Sequence, residues 1–131
     1  MTFEASKTKI LSLCNRMTWA PYTGPDGLPV EYAEEAKDLG LVLNTTGSYG
    51  AQVTITRKKC LRKIHWILRC YKNRSLLFMK HMYQVYIRSI LDYGAVIWYP
   101  STFGQIDQLE QIVRIYTRKI PVVANMHYWD R

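Results

Sequence analysis

From Ser75 to Trp98 the chain is apolar around most of a helical circumference. Its exceptions, Lys80, Gln84, Arg88 and Asp92, recur every four residues. That recurrence makes one narrow polar stripe on an α-helix. A helix with so little polar surface has to be covered, so this segment is expected to be the central element of the fold. Ser75 is placed to cap it and Pro100 to stop it. Arg88 and Asp92 stand one turn apart with opposite charge and are expected to pair. Gly94 costs about 1 kcal/mol relative to Ala in a helix interior, and marks either close packing or an early end.

Two further helices flank this one. Over residues 51–73, Val53, Cys60, Leu61, Ile64, Ile67, Leu68 and Tyr71 supply an apolar face that is one stripe from residue 60 onward. Lys58, Arg62, His65, Arg69 and Lys72 form a second stripe at alternating steps of four and three. The two stripes lie on different faces, so core and charge do not compete. Over residues 104–120, Ile106, Leu109, Ile112, Val113, Tyr116 and Ile120 form the expected buried face, with Ser101 or Thr102 as cap. Asp107 and Glu110 sit early, Arg118 and Lys119 late, in the sense the helix macrodipole favours. Pro121 ends the segment.

Residues 1–50 read instead as short strands and turns. Thr8–Leu13 alternates loosely. Pro21, Gly24, Pro25, Asp26 and Gly27 crowd together, and Asp26-Gly27 is a tight-turn signal. Leu28–Tyr32 is a short edge-strand candidate because Pro29 lies near its start. Asp38–Asn44 is the strongest strand, with Gly47 as the breaker after it. The fold class expected for these 131 residues is therefore α+β: a small antiparallel sheet over 1–50 and a three-helix region over 51–131. Such a small sheet is barely stable alone.

Several classes of function are disfavoured. There is no apolar run of transmembrane length and no secretory-signal pattern in the first twenty residues. The three cysteines, Cys14, Cys60 and Cys70, are odd in number and form no C-x-x-C pair, so neither a disulfide framework nor a zinc site is expected. Reduced thiols fit a cytosolic or nuclear compartment. Paired carboxylates for a two-metal centre are missing. Glu34-Glu35 is the only adjacent acidic pair, and it reads as a solvated face. His65, His81 and His127 have no sequence context tying them to a nucleophile. The glycines match neither phosphate-loop nor dinucleotide spacing. No catalytic residue and no metal ligand is assigned.

The charge is uneven. Residues 1–50 hold four Lys/Arg against six Asp/Glu, residues 51–100 ten against one, and residues 101–131 four against three. From Arg57 to Arg74 there are eight Lys/Arg and no acid. A solvated face ordinarily mixes signs, so this one points to a polyanion, bound through phosphates in a salt-sensitive way. The candidate nucleic-acid-binding residues are Lys58, Lys59, Arg62, Lys63, Arg69, Lys72 and Arg74. Trp66 and Tyr71 stand nearby as stacking surfaces or as core. A membrane-surface helix is the weaker reading because the apolar stripe is committed to a core. Phosphate contacts alone do not separate RNA from DNA.

Seven segments, in order, resemble the region downstream of the catalytic centre in reverse transcriptases of non-LTR (LINE-like) retrotransposons. Phe3–Leu11, with Lys7-Thr8, looks like the segment that closes the palm. Lys37-Asp38-Leu39-Gly40-Leu41 is similar to the K-D-L-G-V strand. Arg74-Ser75 resembles the turn between two thumb helices, and Tyr83–Tyr93 the Y-x-x-L-V-R-P-x-L-E-Y helix. Trp98-Tyr99-Pro100 matches its W-x-P exit, and Gly104–Glu110 follows in family order. Tyr128-Trp129-Asp130-Arg131 looks like the opening of a Y-W-D-R-L segment. The resemblance implies palm-edge strands followed by a thumb-like bundle that holds the RNA/DNA template–primer duplex. It places Lys7 near the incoming nucleotide. It also implies missing palm and fingers as partners. The family's catalytic Tyr-x-Asp-Asp motif is not in these residues, so magnesium belongs to the intact enzyme and the chain alone is expected to be inactive. Both ends cut through family segments, as in a fragmentary transposable-element copy. The rival readings are a stand-alone basic RNA/DNA-binding module, a protein-interaction module, and a relic without function.

Overall fold

The computed structural model describes residues 8–13, 21–25 and 27–130. The fold is α+β, and the chain divides between Tyr49 and Gly50 into two compact units.

In the first unit, β1 (Glu35–Asp38) and β2 (Leu41–Asn44) pair antiparallel, with Asp38 opposite Leu41 and Glu35 opposite Asn44. Leu39 and Gly40 make the two-residue turn, at φ 46° and 83°. Two successive positive φ values match the right-handed strand twist, and glycine adopts them at least cost. The expected single strand Asp38–Asn44 is thus a hairpin corner. Its apolar run hides the turn, because a leucine occupies the first left-handed position. The other two strand expectations reduce to isolated bridges, Ile10 with Tyr32 and Thr23 with Pro29. Pro29 offers no N–H for a longer ladder. A tight loop does form there, with the Gly27 amide donating to the Gly24 carbonyl at 2.9 Å. Asp26, the other half of the turn signal, lies outside the described residues.

The second unit holds three helical arms. Helix α1 (Gly50–Cys70) is followed by an interrupted helix built of α2 (Leu76–Met82), a π-helical stretch (Tyr83–Arg88) and α3 (Ser89–Asp92). Helix α4 (Phe103–Thr117) is the third arm, and a short 3-10 helix (Tyr128–Asp130) follows it. Cys60, Ile64 and Ile67 of α1 cluster with Met79 and Ile87 of the second arm, Ile112 and Tyr116 of α4, and Ile120 and Val123 of the turns that follow it. The buried Tyr116 hydroxyl donates to the Met79 carbonyl at 2.7 Å, tying α4 to α2. Helix α1 packs on α4, on the π stretch and on α3. The central element is therefore α1 rather than Ser75–Trp98, which buries Met79, Ile87 and Trp98 but leaves Leu77, Val85 and Val96 exposed.

That second arm also ends early. Tyr93 turns extended and Gly94 adopts φ 65°, a left-handed helix stop. The Trp98 indole N–H then donates to the Tyr93 carbonyl at 2.7 Å and is itself buried. The polar stripe is as expected: Lys80, Gln84, Arg88 and Asp92 are all exposed, and Arg88 Nε lies 3.2 Å from Asp92 Oδ2. Ser75 occupies the cap position without a side-chain bond; the Asn73 side chain accepts from its amide instead. Thr102 does cap α4, accepting from the Gln105 amide. Ile106 is exposed, because the first turn of α4 runs past the core before Leu109 reaches it. Among the described residues, no helix is long and apolar enough to cross a membrane.

Candidate nucleic-acid interface

The seven sequence candidates separate into three groups. Lys58, Arg62 and Arg69 share one exposed face of α1 with His65. Lys59 and Lys63 lie one step round the helix, facing the second arm. Lys72 and Arg74 fall beyond α1, which stops at Cys70. Lys72 is exposed there, off the helical stripe. Arg74 is half-buried, and its Nη2 donates to the Leu68 carbonyl at 2.6 Å. Arg74 is thus a C-terminal cap of α1 rather than a solvent-facing cation, because its side chain satisfies a carbonyl the helix cannot. It also lies close enough to Tyr116 to oppose the burial that pushes that phenol up to about 12. Lys7 lies outside the described residues.

Other basic residues are engaged elsewhere. Arg114 pairs with Glu110 at 3.0 Å and Asp107 at 3.6 Å, and Arg57 donates to Gln111 at 3.4 Å. By contrast, among the described residues no carboxylate lies within ion-pairing distance of Lys58, Lys59, Arg62, Lys63, Arg69 or Lys72. The sequence explains this directly, since no acid occurs between Asp38 and Asp92. The result is a concentrated positive field on one side of one helix.

Lys59, Arg62 and Lys63 also edge a cavity of about 390 Å³ with Trp66 and Ile90. Beside it, sharing Lys59 and Ile90, is a second cavity of about 230 Å³ lined by Gln52, Thr56, Ser89 and Tyr93. Together they form one groove between α1 and the second arm. The π stretch shapes it. Its wider turn aims Tyr83 at Tyr116, with ring centroids 5.5 Å apart, and Tyr86 at Trp66, also at 5.5 Å. The Lys63 ammonium sits over both rings of the latter pair, 4.7 Å from Trp66 and 5.3 Å from Tyr86. This cation–π seat holds a flexible lysine in place. Trp66 also meets Tyr71 edge-on and remains 40% exposed, so it is both part of the packing and part of the surface.

Gln52, Thr56, Tyr86 and Ser89 are not among the sequence candidates. Gln52 and Thr56 stand one turn apart on a face that otherwise turns apolar at Val53 and Cys60, which is the one sequence signal for them. Tyr86 depends on a π turn that no spacing announces.

Among the described residues, no nucleophile or metal centre emerges. Burial pushes the Cys60 thiol up to about 11, away from reactivity. His65, His81 and His127 are exposed and apart. Among the described residues, no cluster of His, Cys, Asp and Glu could hold a metal ion. The magnesium that the resemblance implies for an intact enzyme has no ligand set among them.

No family model and no solved structure matches the chain. It is similar to the uncharacterized protein B0403.1 of Caenorhabditis elegans, with 23% identity over 100 residues that cover 74% of this chain and 50% of that protein. The chain thus spans about half the length of the curated relative it matches.

Proposed function

We propose that this chain is a duplex-holding part of an RNA-directed DNA polymerase of the non-LTR retrotransposon type, a thumb-like bundle with palm-edge strands and no catalytic aspartates. The observation that carries the reading is the acid-free cationic face of α1, with Lys58, Lys59, Arg62, Lys63 and Arg69 on one helix side and no carboxylate in ion-pairing range among the described residues. Such a face binds phosphates and releases their counterions. A rigid helical bundle gives it a fixed spacing to offer to a duplex. The ordered likeness of seven segments to the polymerase region supplies the polymerase context.

The test is titration of the purified chain with an RNA–DNA hybrid over a range of salt. Binding that falls steeply as salt rises supports the reading. A folded chain that binds no hybrid at low salt overturns it. A second reading, a protein-interaction module, is favoured by one feature: an apolar cavity of about 400 Å³ between α2 and α4, lined by Leu76, Tyr83, Val113, Tyr116, Ile120 and Val123 with Lys80 at its edge.

A further inference from the structure

The exposed cations on α1 treat RNA and DNA alike, because a phosphate is the same in both. The groove beside them is built differently. At one end Lys59, Arg62 and Lys63 stand around an aromatic wall. At the other end, the floor is made of Gln52 and Thr56, each only 3% exposed, and the far wall carries Ser89 and Tyr93. These two buried polar side chains, on the inward side of an otherwise apolar helix, are joined by a hydrogen bond.

The hydrogen bonds at Thr56 and Ser89 define what each offers to the groove. Gln52 Nε2 donates to Thr56 Oγ1 at 3.4 Å, so the Thr56 oxygen is already an acceptor and its own hydrogen is available to a ligand. Ser89 donates its hydroxyl hydrogen to the Val85 carbonyl at 2.7 Å, so towards the groove it acts as an acceptor. A donor and an acceptor on facing walls suit a group that is both acceptor and donor. A ribose 2′-hydroxyl is such a group, and deoxyribose lacks it. The polar end shares Lys59 with the cationic end, so a sugar held there has its phosphate beside an ammonium.

We propose that the groove between α1 and the Tyr83–Asp92 arm seats the RNA strand of the bound duplex. In this arrangement Lys59, Arg62 and Lys63 take its phosphates, while Thr56 and Ser89 read a ribose 2′-hydroxyl. The proposal rests on the duplex-holding reading above and adds the discrimination that the exposed stripe lacks. Thr56 and Ser89 are specificity residues, and Lys63, seated by Trp66 and Tyr86, is a positioned phosphate ligand.

The experiment compares the unaltered chain on three duplexes of one sequence and length: an RNA–DNA hybrid, the same hybrid with 2′-fluoro RNA, and DNA–DNA. Fluorine keeps the A-like sugar pucker and the charge but cannot donate a hydrogen bond. The native hybrid is expected to bind about fivefold tighter than the fluoro hybrid, the fold-change of one hydrogen bond. In the Thr56→Val/Ser89→Ala variant that difference is expected to vanish. Equal, salt-sensitive binding of native and fluoro hybrids overturns the inference and leaves the duplex-holding reading standing. A difference that survives undiminished in the folded variant also overturns it, because the hydroxyl is then read elsewhere. Failure of the folded chain to bind any of the three overturns both.

Discussion

Arg74 reaches back across the end of α1 to the Leu68 carbonyl, with Nη2 to oxygen at 2.6 Å, and this bond turns the chain from the first helical arm into the second. A cation used in this way contributes to the fold before it contributes to any ligand.

Arg74→Ala should therefore lower stability by about 2 kcal/mol, in the range for a hydrogen bond made by a charged group. Thermal denaturation checks this. Under conditions where the variant is folded, its affinity for an RNA–DNA hybrid should stay close to that of the parent chain. A loss of affinity as large as that from the exposed arginines would show that Arg74 is a ligand-binding residue after all.

Reversing charge at Arg62 and Arg69 together should do the opposite. Both side chains project from the outer face of α1, so Arg62→Glu with Arg69→Glu should leave the circular dichroism spectrum and the melting temperature nearly unchanged. Hybrid binding should weaken, and the slope of log affinity against log salt should flatten by about 0.9 for each phosphate no longer neutralised. Unchanged affinity in the double variant would remove the α1 face from the interface.

The contrast between Arg62 and Arg74 shows what is legible in the sequence. Periodicity along α1 separates the Cys60, Ile64 and Ile67 face from the Lys58, Arg62 and Arg69 face because the helix is long and regular, and the structure keeps both. Arg74 has the same residue type but stands past the end of the helix, where spacing says nothing about direction. The hairpin is hidden for a related reason: Leu39 and Gly40 sit inside an unbroken apolar pattern, and backbone handedness leaves no hydropathy trace. The early end of the second arm is half legible, since Gly94 is visible as a candidate stop, whereas the Trp98 indole bond that secures it is not. The groove is legible only on its α1 side. Its other wall depends on a π turn, which shifts Tyr86 and Ser89 relative to any regular helical register.

The Lys63 seat makes a separate prediction. Tyr86→Leu removes one ring from beneath the ammonium, and hybrid affinity should fall by about threefold, as expected for a partly exposed cation–π interaction. Tyr86→Phe keeps the ring and should restore the parent affinity. If the phenylalanine variant binds as weakly as the leucine variant, the ring face is not what places Lys63.

Alkaline pH should destabilise the fold in a defined window. Burial raises Cys60 from 9.0 to about 11, and raises Tyr116 from 10.0 to about 12 against the lowering effect of Arg74. Below about pH 9 both groups are neutral in folded and unfolded chains alike, so their contribution is fully present. Between about pH 9 and 12 the unfolded chain releases protons that the folded chain retains, so stability falls as pH rises. Melting temperature measured across that window should decline, and Cys60→Ala should flatten the lower half of the decline.

Replacing Gly94 tests the helix stop. At φ 65° any side chain is strained, so Gly94→Ala should cost about 1–2 kcal/mol. It should also disturb Tyr93, which lines the groove next to Thr56. Denaturant titration measures the first effect and hybrid binding the second.

The indole anchor at Trp98 has a consequence for how the molecules behave in a crowd. No charged residue occurs from Tyr93 through Ile106, and Val96 and Tyr99 of this pinned loop and Phe103 at the start of α4 project into water. Two copies could cover those side chains by meeting tip to tip, yet each carries a formal net charge of +8. At low ionic strength that mutual repulsion keeps the loops apart; added salt screens it, with a Debye length near 10 Å at about 0.1 M. On the proposed reading, the ionic conditions that would strip a polyanion from α1 are the same ones that screen this repulsion, so colloidal behaviour and ligand binding would answer to one electrostatic dial.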